Sequence, residues 1–411
     1  MSSKFNIVVY GSLSASGKSG LAFFNYRVAK YLYDKNILNK VYCLKVKDKG
    51  HKLEIPAEKI HTAYSHFPTN MKLLFLKVLG KYIKYQDRYL SEKIFDKYIS
   101  SVIDLIGVQV LFNLKPAVPI TTQKAREVKL HTITLATVAH PEFIHDQIAK
   151  IEDMYHIKDN SSYTNTDRIK KLTQTFEASD VIIPQIGSRF ICKTYTDRID
   201  TQVYQLKNLG GIDTNTYLPK SKVIEIGQPI KFVSVARFNL KKGVPLLLDA
   251  WRKFKGSTPE AAELHLIGSI DKTTQKVIGT HFSDISSVYY HSFSREIHLE
   301  LPKYDVFVAS SVSDLLPRTI MEAMACGLPV IASEHCGAAD LVEPEVSGFI
   351  YHPFDTKKLV SFFTWFAKHK DEIVKMGKNG RERIEKLGFQ DFLAEILSFL
   401  EERNIPNVVN D

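Results

Sequence analysis

Residues 305–348, DVFVASSVSDLLPRTIMEAMACGLPVIASEHCGAADLVEPEVSG, decide the fold. The apolar run Val306 to Ala309 predicts a buried strand, and Pro317 to Ala325 combines helix formers with apolar residues at helical spacing. Gly327 stops that helix, and a second apolar run, Pro329 to Ala332, follows at once. Strand, loop, helix and strand in that order predict a parallel α/β sheet, whose post-strand loops form its ligand-binding edge.

Two acids fall in this unit. Asp314 lies in the loop and Glu322 one to two turns into the helix, so both can reach one ligand over the helix N-terminus. Exposed N–H groups and the helix dipole suit a phosphate there. Taken alone, the pair reads first as a helix-capping acid at Asp314 and a solvated one at Glu322.

The whole string resembles the nucleotide-sugar site of the group 1 glycosyltransferases, glycosyltransferase family 4. The segments that carry the resemblance are Ser-Asp-Leu-Leu-Pro-Arg, Glu-Ala-Met-Ala, Gly-Leu-Pro-Val-Ile-Ala-Ser and Ser-Gly-Phe-Ile. It implies a glycosyltransferase-B fold, an α/β architecture of two facing Rossmann-like domains with the donor in the cleft between them. The family pattern has two glutamates with seven residues between them. This chain keeps the spacing and Glu322, but has Asp314 for the first glutamate, Leu315 where Gly is usual and Cys336-Gly337 where a Gly pair is usual. By resemblance, Glu322 holds the nucleotide ribose and Asp314 the donor-sugar hydroxyls, while Leu316, Pro317, Arg318 and Thr319 belong to the donor-binding loop.

A second anion site is legible at the strand Lys231 to Arg237 and the helix from Val244 to Phe254. Arg237 and Lys242 flank the loop between them, and an Arg fork with a Lys point charge suits a diphosphate. Their spacing coincides with the family's diphosphate clamp. Further strands are expected at Leu264 to Gly268 and Val288 to His291.

A chain of 411 residues predicts two domains. The net charge of +10 is uneven: residues 1–200 hold 30 Lys and Arg against 19 Asp and Glu, leaving 25 against 26 for the rest. The basic first half predicts an anionic partner, and no nucleic-acid motif accompanies it. Cys43, Cys192, Cys326 and Cys336 form no Cys-x-x-Cys pair, so reduced thiols and a cytoplasmic location are expected. The chain enters its first strand without a long apolar leader, and no apolar run approaches the ~20 residues of a membrane span.

That first strand, Phe5 to Tyr10, leads through Gly11 to Gly17-Lys18-Ser19 into a helix from about Leu21 to Tyr33. Five residues separate the glycines, where a phosphate-binding P-loop needs four. Gly17, Lys18 and Ser19 instead resemble the family's glycine-rich first loop, near donor or acceptor. Residues 72–106 form a single helical pattern with Lys72, Lys77, Lys81, Lys84, Arg88, Lys93 and Lys97 interleaved with apolar residues. Such a segment either lies on an anionic membrane or packs on its own domain. Strand-like runs at Val108 to Asn113 and Thr132 to Ala139 follow, the second closed by His140-Pro141. His140 matches the family's cleft histidine, which implies a catalytic contact with donor sugar or phosphate. Asn160 to Asp167 reads as a mobile polar loop, and Ser179 to Pro184 resembles the last strand of the first domain.

The expected organisation is an acceptor-side domain over 1–206, a nucleotide-sugar domain over 207–388, and a C-terminal helix in 389–411 that crosses back. The expected function is retaining transfer from a UDP- or GDP-sugar to a glycan or lipid-linked acceptor. With no Asp-x-Asp in the chain, no metal or other cofactor is expected. A peripheral position on the inner face of a membrane fits the basic first half. A nucleotide-sugar hydrolase or epimerase of the same fold, or a scaffold without turnover, are the alternatives.

Overall fold

The computed structural model describes residues 4–16, 20–47, 53–79, 87–207, 211–219, 228–257, 262–387 and 392–402. Two parallel sheets organise it. The first contains β1 (Phe5–Leu13), β2 (Leu38–Val46), β3 (Ile60–Thr62), β4 (Val110–Asn113), β5 (His131–Ala136), β6 (Val181–Pro184) and β7 (Gln202–Val203), in the order β3-β2-β1-β4-β5-β6-β7. The second contains β8 (Ile230–Val235), β9 (Ala262–Ile267), β10 (Val288–His291), β11 (Val306–Ala309), β12 (Val330–Ser333) and β13 (Gly348–Tyr351), in the order β10-β9-β8-β11-β12-β13. Strand order reverses between β1 and β4 in one sheet and between β8 and β11 in the other. At such a switch point the loops leave toward opposite faces and open a crevice at the carboxyl ends of the strands.

The deciding stretch folds as its apolar runs require. β4, β6, β11 and β12 are buried at every position, as strands covered on both faces must be. Phe307 pairs with Val330 and Ala309 with Ala332, and the intervening helix is Arg318–Ala325. Behind β8, Phe232, Trp251, Phe254 and Phe363 form an aromatic cluster of edge-to-face and tilted pairs with centroids 4.9–6.4 Å apart.

Three expectations change. The helical pattern over 72–106 is divided between Phe67–Leu79 and Asp87–Val102. The second helix buries Phe95 and Ile99 in a core with Tyr42 and Leu111, whereas the first leaves Phe67, Met71, Leu74, Phe75 and Val78 exposed. β6 is not the last strand of its sheet, because the two-residue β7 pairs with it. The segment 160–167 is pinned: Thr164 Oγ1 donates to the Asp159 carbonyl at 2.6 Å, Asn165 caps the helix Thr166–Glu177, and Tyr163 is half-buried. Its polar residues serve as turn and cap donors and acceptors, a use composition does not distinguish from mobility.

The last described helix, Phe392–Glu402, inserts Ile396 and Phe399 into the first sheet's core beside Phe5, Val28 and Leu206. Phe399 stacks on Tyr204 at 3.9 Å, and Glu395 accepts from the Lys207 N–H.

Candidate functional site

The loops leaving the β8/β11 switch point are stitched together. The Val312 N–H donates to the Lys241 carbonyl and Ser310 Oγ to the Lys242 carbonyl, each at 2.9 Å. Gly243 permits this closeness: its φ is +66°, and a Cβ would stand 2.0 Å from the Ser310 carbonyl oxygen. Backbone that only glycine tolerates therefore carries Lys242 across to the Asp314 loop.

There Lys242 Nζ forms an ion pair with the Asp314 carboxylate. Burial works to lower the Lys242 pKa, but the carboxylate beside it prevails and the net shift is upward. Burial likewise works to raise Asp314, and Lys242 with Lys241 outweighs it and holds the carboxyl below its usual range. The Asp314 N–H donates to the His335 carbonyl at 2.9 Å and its carbonyl accepts from Gly337 N–H at 2.8 Å. A Cβ at Gly337 would stand 1.9 Å from the Leu315 carbonyl oxygen, so this turn also needs glycine. Leu315, where a Gly is usual in the resembled pattern, is buried in a core cluster that includes Ile186 of the first domain.

Glu322 lies in the helix Arg318–Ala325 and accepts from the Tyr217 hydroxyl at 3.1 Å. Burial raises its pKa, with the Tyr217 hydrogen bond and the Arg318 charge opposing. Pro317 offers no side-chain cap to this helix. Pro317 is buried, Leu316 and Thr319 are half-buried, and Arg318 is exposed. Arg237 is exposed, and among the described residues it has no ion pair or hydrogen-bond partner. The structure thus joins Lys242 to Asp314 and keeps Arg237 open to solvent.

His140 differs from the expected cleft histidine. It has 0% exposure, packs against Phe176 and Tyr195, and accepts from the Glu142 N–H through Nδ1 at 3.3 Å as the cap of the helix Pro141–Tyr155. Burial, with Arg198 adding, brings its pKa down to about 4. A neutral imidazole in the core has replaced a ring facing the cleft, because the aromatic side chains of two later helices close over it. Gly17, Lys18 and Ser19 lie outside the described residues.

A cavity of about 330 Å³ lies between the domains. Lys115 and Tyr163 line it from the first domain, and Lys241, Asp314 and Leu315 from the second. The Lys241 ammonium lies 4.8 Å from the centre of the Tyr163 ring, and its charge lowers the phenol pKa against the effect of burial. On the first-domain wall the Glu92 carboxylate accepts from Arg168 at 2.9 and 3.0 Å and from Arg88 at 3.1 Å. Sequence reasoning missed Glu92, Lys115, Tyr163 and Arg168. The i,i+4 spacing of Arg88 and Glu92 was its one local signal.

Glu334, His335 and His352 bring possible metal-ligating atoms within 4.8 Å of one another. His335 Nδ1 is engaged by the Val312 carbonyl at 3.0 Å and His352 Nδ1 by the Phe354 N–H at 3.3 Å.

With this geometry in hand, comparison with known proteins identifies the second sheet's region. Residues 219–383 match the family model described as glycosyl transferases group 1. This region is a group 1 glycosyltransferase domain. The chain is 28% identical over 197 residues to the putative colanic acid biosynthesis glycosyltransferase WcaL of Escherichia coli K12, covering 46% of this chain and 47% of that one. It is 30% identical over 186 residues to the amylovoran biosynthesis glycosyltransferase AmsK of Erwinia amylovora, covering 42% and 46%. It therefore spans about half the length of the curated relatives it matches. Across nearly the whole chain it has the glycosyltransferase-B fold. The structure of Anabaena Alr3699/HepE in complex with UDP and glucose superposes with a TM-score of 0.58 at 16% identity, covering 97% of this chain and 99% of that one.

Proposed function

We propose that this protein transfers a sugar from a nucleoside-diphosphate sugar to a glycan or lipid-linked acceptor, with retention of anomeric configuration and without a metal. The observation that supports this reading is the β8/β11 switch point, whose loops carry Arg237 and the Lys242–Asp314 ion pair, with Glu322 in the uncapped helix that follows β11. Cleavage of the glycosidic bond builds negative charge on the leaving diphosphate. Arg237 and Lys242 are the cations available to stabilise it, and preplaced charge needs no reorganisation during reaction. An oxyanion drawn to Lys242 frees Asp314 to accept from donor-sugar hydroxyls. Glu322, oriented by Tyr217, then takes the ribose hydroxyls. UDP in a structural neighbour makes a uridine nucleotide the first donor to try.

Calorimetric titration with UDP, GDP and ADP without metal tests the reading. One nucleotide is expected to bind, and Arg237→Ala to weaken it ~10- to 100-fold, the worth of a hydrogen bond between charged partners. A folded protein that binds none of the three would remove the transferase reading and favour a scaffold without turnover. Release of free sugar in the absence of any acceptor, as fast as in its presence, would favour the hydrolase.

We also propose a peripheral position on an anionic bilayer. Among the described residues no helix is long and apolar enough to cross a membrane. The helix Phe67–Leu79, however, exposes Phe67, Phe75 and Val78 at 73%, 62% and 67%, an apolar stripe beside Lys72 and Lys77. Apolar exposure flanked by lysines suits the interface of acidic lipids. Phe67→Glu combined with Phe75→Glu is expected to reduce co-sedimentation with phosphatidylserine-containing vesicles by ~10-fold or more, the loss of two buried aromatic side chains. Unchanged vesicle binding in that double variant would remove the helix from membrane attachment.

A further inference from the structure

The switch-point crevice of the first sheet carries more positive charge than the described residues neutralise. Lys115 follows β4, and its ammonium lies 3.8 Å from where a Cβ on Gly11 would stand, in the fork between the ends of β1 and β4. Among the described residues the ammonium has no ion-pair or hydrogen-bond partner. Arg88 and Arg168 share the same wall, and among the described residues Glu92, which they both engage, is the one carboxylate lining it. Three cations thus face the cavity against one carboxylate. Across the cavity Lys241 adds a fourth cation, while Asp314 is already paired with Lys242.

Cations gathered in a partly dry crevice repel one another unless an anion arrives. Lys115 registers that cost: burial, then the charges of Arg88 and Arg168, bring its pKa down to about 8 despite Glu92. Arg237 and Lys242, the cations assigned to the donor diphosphate, do not line this cavity. The unmatched charge therefore belongs to the opposite side of the reaction centre.

We propose that Lys115, with Arg88 and Arg168 behind it, binds an oxyanion on the acceptor, so that the acceptor is an acidic glycan. This rests on the transferase reading above. The anion can be a sugar carboxylate or a sugar phosphate, and both present charged oxygens to the same three cations.

The test is calorimetry on the full chain saturated with the nucleotide it binds, titrated separately with glucuronate, glucose 1-phosphate and neutral glucose. Wild type is expected to bind one or both acids at millimolar concentration or tighter, and not glucose. The acid bound more tightly identifies the source of the charge. Lys115→Met should weaken acid binding by ~10-fold or more, the worth of one charge-assisted hydrogen bond. Lys115→Arg should keep most of it, and nucleotide affinity should stay unchanged in both variants. A fall in nucleotide affinity equal to the fall in acid affinity would assign Lys115 to the donor and overturn the proposal. Equal binding of glucose, or no acid binding by wild type, would overturn it as well. If wild type bound no nucleotide but took up acids through Lys115, the oxyanion site would stand and the transferase reading would fail.

Discussion

Glu92→Gln is expected to lower the folding free energy by about 3–5 kcal/mol, the cost of stripping one partner from a buried ion pair. The Glu92 side chain is 1% exposed and that of Arg168 9%. A glutamine offers one acceptor where the carboxylate serves three N–H donors, and its own NH₂ would face a guanidinium. Arg168 would then keep a full charge in a site that water scarcely reaches. Urea denaturation of wild type and variant reads the difference. A loss below about 1 kcal/mol would mean that water or the neighbouring carbonyl groups solvate Arg168 adequately. Glu92→Leu combined with Arg168→Leu should recover much of the loss, because replacing both buried charges removes the uncompensated one. Failure of that recovery would show that packing, and not the charge, sets the cost.

Lys242→Met is expected to reduce kcat/KM by ~10²–10³-fold, the range found when one preplaced stabiliser of developing charge is removed. Nucleotide release from the donor identified by calorimetry is the readout. Loss below about 10-fold would take Lys242 out of leaving-group stabilisation. The same variant carries a pH signature. In wild type Asp314 has a depressed pKa, so its contribution to stability is present above the ordinary carboxylate range and is lost as pH falls through the folded value. Without Lys242, burial outweighs the remaining attraction of Lys241 and Asp314 prefers its proton. The stability gap between wild type and Lys242→Met should therefore widen as pH rises from about 4 to about 7. A gap constant over that interval would show that the pair contributes nothing to folding.

Both experiments turn on pairs that no local pattern announces. Lys242 and Asp314 lie 72 residues apart, and Arg168 and Glu92 lie 76 apart. The loops that carried the predicted site residues were nonetheless legible. Hydrophobic runs such as Val306–Ala309 and Val330–Ser333 are dictated by burial on both faces of a parallel sheet, and Gly243 by a left-handed turn that excludes side chains. Those are local constraints, so each leaves its mark within a few residues.

His140 shows where such reading ends. Its place after β5 and just before Pro141 was visible in the chain, but the Phe176 and Tyr195 rings that bury it come from separate helices. The divided helix at Phe67–Leu79 and Asp87–Val102 makes the same point, since one amphipathic pattern covers both a buried face and an open one. The sequence by itself determined the parallel α/β class, the strand–loop–helix units around β8 and β11, and the acids and cations that those two loops carry. The tertiary structure alone decided which charges neutralise one another, which remain unmatched across the cleft, and which ring faces the core. Hydrophobic periodicity and turn chemistry act over a few residues, whereas electrostatic pairing and burial depend on distance in space.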